Sequence, residues 1–128
     1  MQKISTIDFS KLMQIVQKQF PQILIAYVFG SAKNGKLKTG SDIDFAILLS
    51  SGYDKLLEFK IAVFLEEQLQ NKIDLVVLNT ANSVLSHQVL VNGNRIFERN
   101  SEHRVIFESN LFRDYIDNTY FLRRRYAK

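Results

Sequence analysis

Two short apolar runs, each interrupted at one end by residues foreign to a protein core, constrain this chain most. Ile23-Leu24-Ile25-Ala26-Tyr27-Val28-Phe29 stops at Gly30-Ser31, and Asp42-Ile43-Asp44-Phe45-Ala46-Ile47-Leu48-Leu49 opens with two acids. Runs of this length, rich in β-branched and aromatic residues and bounded by turn formers, read as strands of a sheet. The chemistry-bearing residues therefore fall at strand ends, where side chains leave the core.

Gly30 permits a sharp turn and a close approach of backbone to a ligand, and Ser31 adds a hydroxyl beside newly exposed N–H groups. If a short helix starts at Ser31, those N–H groups and the positive end of its dipole form an anion site that a phosphate fits. Asp42 and Asp44, two residues apart on a strand, point to the same side and can share one hard cation. Mg²⁺ suits such a pair because it takes few carboxylates, keeps waters and accepts phosphate oxygens.

A third acid follows. Ile73-Asp74-Leu75-Val76-Val77-Leu78 reads as another strand with a single carboxylate near its start. A buried ionised Asp costs several kcal/mol unless paired or metal-bound. Asp74 either joins Asp42 and Asp44, caps a turn or pairs with Lys72. Taken singly, Gly-Ser is a common turn and Ser41-Asp42 a common strand start or helix cap. Their combination is more specific than its parts.

The remaining pattern predicts helices around these strands. Phe9, Leu12, Met13, Val16 and Phe20 give helical spacing over Ile4 to Gln19, ended by Pro21. Tyr53 to Asn71 reads as a strongly apolar crossover helix, Asn82 to Leu90 as a short helix ending near Asn92-Gly93-Asn94, and Arg95-Ile96-Phe97-Glu98 as a short edge strand. A long helix follows, with Ser101 as its cap and apolar residues from Val105 to Leu122 covering more than one stripe. That excess is either an interface or packing within the domain. The fold class expected is α/β (α+β), a small mixed sheet flanked by helices, in one domain with its core over 23–98 and a C-terminal helix over 101–125.

At this point the chain resembles a known family. Phe29-Gly30-Ser31, Gly35 and Ser41-Asp42-Ile43-Asp44-Phe45-Ala46-Ile47 are similar to the signature of nucleotidyltransferases of the DNA polymerase beta superfamily, within it the minimal, MNT-type group. The similarity runs from about Ile23 to Leu78, with Asp74 at the place of the family's third carboxylate. It implies a polymerase-beta-like fold and transfer of AMP from ATP with two Mg²⁺ ions. Asp42, Asp44 and Asp74 would be catalytic and metal-binding; Gly30, Ser31, Lys33 and Ser41 would bind nucleotide. The segment after Gly-Ser usually contains arginine in this family. Here it reads Ala32-Lys33-Asn34-Gly35, a charge without the bidentate fork. Members of this kind are antitoxins of HEPN/MNT modules, which implies a HEPN ribonuclease toxin as partner and a tyrosine as acceptor. A non-catalytic antitoxin and a small-molecule nucleotidyltransferase are the competing readings.

Composition narrows the setting. At 128 residues there is little room for a separate drug-binding domain, and the absence of cysteine excludes disulfides and thiolate-held zinc. His87 and His103 stand apart from any nucleophile or metal-ligand spacing. No run has transmembrane length and the N-terminus is no signal peptide, so a cytoplasmic location is expected. The net charge of +4 is concentrated in places: Lys33, Lys36 and Lys38 either attract a triphosphate or form a solvated loop. Arg123-Arg124-Arg125 and Lys128 complement the end of the last helix rather than bind nucleic acid.

Overall fold

A computed structural model describes residues 4–38 and 40–126. Its centre is a four-stranded sheet in the order β5-β4-β2-β6, formed by β2 (Ile23–Phe29), β4 (Ile43–Leu49), β5 (Ile73–Val77) and β6 (Asn94–Glu98). β2 runs antiparallel to β4 and to β6, whereas β4 and β5 are parallel. Parallel neighbours require a crossover, which α2 (Lys55–Leu69) supplies. The expected mixed sheet, crossover helix and edge strand β6 are all present. Among the described residues no helix is long and apolar enough to cross a membrane.

Strand alternation divides the core in two. Ile23, Val28, Ile43, Phe45, Ile47, Leu49, Ile73 and Val77 pack with Phe9, Leu12, Met13 and Val16 of α1 (Phe9–Gln19) and with Ile61 and Leu65 of α2. The opposite face presents Tyr27, Ala46 and Val76 to Val89 of α3 (Ser83–Asn92) and Phe107 of α4 (Ser101–Tyr126). Asp44 lies between Ile43 and Phe45, and Asp74 between Ile73 and Leu75, so both acids belong to this second face.

Two local expectations change. Ile4–Thr6 is not helical but forms β1, antiparallel to β3 (Lys36–Lys38). β-branched residues suit a strand, and the helix starts only where the Asp8 carboxylate accepts from Lys11 N at 3.2 Å. The expected lysine-rich loop is therefore partly a strand. At the last helix the cap is Asn100 rather than Ser101: its side chain accepts from Glu102 N at 2.7 Å and its carbonyl from Arg104 N at 3.2 Å. The strongly apolar α2 leaves Leu56 and Phe59 exposed.

α4 buries Leu111 and leaves Val105, Ile106, Phe112 and Ile116 exposed, so apolar surface does remain on this helix. The side chains of Lys38, Tyr120, Phe121, Leu122 and Arg123-Arg124-Arg125, and Lys128 as a whole, lie outside the described residues.

Candidate active site

β2 ends at Phe29, which stands opposite Asp44 across the antiparallel ladder; Asp44 in turn stands opposite Asp74 across the parallel one. One row across three strands thus sets the Gly-Ser turn beside two carboxylates. Asp42 lies just before β4, not in it as expected, and is exposed. Its charge still acts on Asp44.

Gly30 shows how tight the row is. The chain turns through a three-residue 3-10 segment, Gly30–Ala32, with Gly30 at φ +74°. A Cβ at this position would overlap the Asp44 carboxylate oxygen, so no larger residue fits while both keep their places. Ser31, the next residue, is exposed. Any anion held at this turn lies next to Asp44.

Asp44 is half-buried, and its affinity for a proton is raised above that of an ordinary carboxylate. Desolvation is the largest cause, followed by the charges of Asp74 and Asp42 and by a side-chain hydrogen bond with Asp74. Asp74, by contrast, is exposed, which corrects the argument that burial makes it need a partner. Register with Asp44, not burial, brings it to the site.

Three acids in mutual repulsion call for positive charge. Among the described residues no three His, Cys, Asp or Glu side chains form a ready-made metal cage. A hard ion such as Mg²⁺ does not need one, because waters and phosphate oxygens complete its shell. The donor set, oxygen-only and anionic, suits that ion and not a soft metal.

The other expected ligands have hydrogen-bond partners within the chain. Lys33 Nζ donates to Asn92 O at 3.0 Å, at the end of α3. Ser41 is half-buried and its carbonyl accepts from Asn71 Nδ2 at 3.1 Å, which ties the loop before Asp42 to the end of α2. His87 stacks on Tyr115 at 3.7 Å and meets Phe112 edge-on, joining α3 to α4 rather than serving the acids.

Two cavities lie near the sheet. One of about 650 Å³, lined by Asp8, Lys11, Leu12, Gln70 and Asn71, contains none of the three acids. Another of about 540 Å³ is lined by Tyr27, Leu90, Asn94, Arg95, Glu108 and Phe112, on the acid-bearing face. Tyr27 donates to Glu108 Oε1 at 2.8 Å there, and Arg95 and Arg104 pair with Glu98 and Glu108. Burial, then the bond to Glu108, raises the Tyr27 phenol far above its usual range. Sequence reasoning did not find this network, because its members are 81 residues apart at Tyr27 and Glu108.

The mixed sheet flanked by helices, with a Gly-Ser turn and carboxylates at adjacent strand ends, places the chain in a definite class of α/β protein. Residues 10–102 match the family described as Polymerase beta, Nucleotidyltransferase, and the chain belongs to it. It is 31% identical over 88 residues to the protein adenylyltransferase MntA of Shewanella oneidensis. That match covers 69% of this chain and 63% of the relative's length. The fold is similar to a chain of a toxin-antitoxin crystal structure with AMP-PNP, at 25% identity and TM-score 0.75 over 93% of this chain and 94% of that one. It is also similar to a chain from the complex of tri-AMPylated Shewanella oneidensis HEPN toxin with MNT antitoxin, at 25% identity and TM-score 0.70, covering 91% and 90%.

Proposed function

We propose that this protein is a Mg²⁺-dependent adenylyltransferase that moves AMP from ATP to a hydroxyl, a tyrosine, of a HEPN ribonuclease toxin, and so acts as the antitoxin. The observation that carries the reading is the row in which the Gly30 turn, Asp44 and Asp74 adjoin, with Asp42 one step away. Likeness to MntA and to toxin-antitoxin structures with AMP-PNP and with an AMPylated HEPN toxin supports the nucleotide and the partner.

In this reading Gly30 and Ser31 hold the outer phosphates against the acid row. Asp42 and Asp44 would hold Mg²⁺, with Asp74 beside them, and the ion would supply positive charge that offsets the charge of the phosphates. Asp74, the exposed acid at the end of the row, accepts the proton of the incoming hydroxyl. The acceptor oxygen bonds to the α-phosphorus, the bond to the bridging oxygen breaks, and pyrophosphate leaves. Positioning and electrostatics do the chemistry, with no covalent enzyme intermediate. Exposed Ile106, Phe112 and Ile116 on α4 offer the partner an apolar surface.

The test uses purified protein, labelled ATP, Mg²⁺ and the HEPN-type protein of the same genome. Label should transfer to the partner with wild type and be lost with Asp42→Ala. If Asp42→Ala neutralises the toxin as well as wild type does, neutralisation is by contact and the catalytic reading is wrong.

A further inference from the structure

The turn that adjoins the acids is closed by its own backbone, Lys33 N donating to Gly30 O at 3.4 Å and Gly35 N to Ala32 O at 2.9 Å, and is also tied down from outside. The chain after Gly30-Ser31 is tied to the α3–β6 junction by three hydrogen bonds. Asn94 Nδ2 donates to Lys33 O at 2.9 Å and to Asn34 Oδ1 at 3.2 Å, and Lys33 Nζ donates to Asn92 O at 3.0 Å. The backbone of Asn94 is itself located by the sheet, since it pairs with Val28, two residues before Gly30. Gly93 seats the junction closely: a Cβ there would lie 3.2 Å from Val28 O and 3.4 Å from Phe29 Cβ. At its far end the loop is closed by Ile7 N donating to Gly35 O at 2.7 Å.

We infer that Asn94 is a positioning residue for the phosphate turn, acting through Lys33 and Asn34, and that Lys33 serves this clamp rather than touching phosphate. The inference rests on the proposed nucleotide reading. Each bond is exposed and modest by itself. Their joint effect falls on a single short segment whose conformation decides where Gly30 and Ser31 point. Asn94 is anchored in the ladder of the strand that carries this turn, so its amide transmits the sheet's rigidity to the loop.

The clamp makes a distinction that general loss of structure would not. Outer phosphates meet the Gly30–Ser31 turn, whereas AMP lacks them. With Mg²⁺ present, Asn94→Ala should weaken AMP-PNP binding about fivefold to tenfold, the worth of roughly one hydrogen bond, and leave AMP binding unchanged. Asn94→Asp, equal in size but unable to donate, should do the same; it serves as the test if the alanine variant does not fold. Equal losses for AMP and AMP-PNP, or no loss for either, overturn the clamp. If wild type binds neither nucleotide, the functional reading fails and the clamp fails with it.

Discussion

On the face covered by α1 and α2, the sheet offers a continuous apolar surface in which Phe45 meets Phe9 edge-on, with ring centroids 5.9 Å apart. On the face covered by α3 and α4, the same strands present Asp44, Asp74 and a Tyr27 hydroxyl tied to Glu108. The first face can be packed for stability because nothing polar has to be exposed there. The second carries charge at an electrostatic cost, as Asp44 shows by its raised proton affinity. Burial on one side lets the other keep a destabilising cluster for function.

The contrast can be broken at four points. The largest effect should come from Asp44→Ala, which ought to lower label transfer at least about a thousandfold, roughly 4 kcal/mol of transition-state stabilisation, without lowering the melting temperature. A variant that melts early instead would show that the acid face also holds the fold. Next, Phe45→Ala should cost about 3–5 kcal/mol in urea denaturation, since the residue is fully buried. A loss below that range would mean the α1/α2 face is less tightly packed than its burial indicates.

A smaller effect separates charge from shape. Asp44→Asn should slightly stabilise the metal-free protein at neutral pH while abolishing transfer. The sign follows from the raised folded-state pKa of Asp44: its contribution to stability is present below the unfolded value, ordinarily 3.8, and is lost as pH rises through the folded one. The advantage of the Asn variant should therefore be full at neutral pH and vanish as pH falls through that window, as followed by thermal melts in EDTA. Smallest of all, Tyr27→Phe should cost about 1 kcal/mol, because Glu108 keeps Arg95 and Arg104 as partners. An unchanged melting temperature would remove the Tyr27–Glu108 bond from the account of this face.

Much of this architecture was legible from local pattern. The limits of β2 and β6, the crossover nature of α2, and the turn at Asn92-Gly93-Asn94 follow from composition and punctuation that act over a few residues. Ile4–Thr6 reads as helix because the helical spacing nearby extends over it, while its partner β3 lies at least thirty residues on and leaves no local mark. Lys33 reads as a phosphate ligand by proximity to Gly30-Ser31. In three dimensions the end of α3 offers its ammonium a carbonyl. Asn94 carried no signal beyond that of a turn, because its role depends on a loop 60 residues earlier.

By itself the sequence determined which residues could do the chemistry: a glycine that turns sharply, a serine after it, and acids spaced at the period of a strand. Those are local properties of side chain and backbone. Only the tertiary structure decided that Asp74 faces Asp44, that the Gly30 backbone approaches the Asp44 carboxylate, and that the Asn94 amide reaches the carbonyl of Lys33. Strand order and register set those distances. They arise from packing between segments far apart in the chain, which no single stretch of sequence encodes.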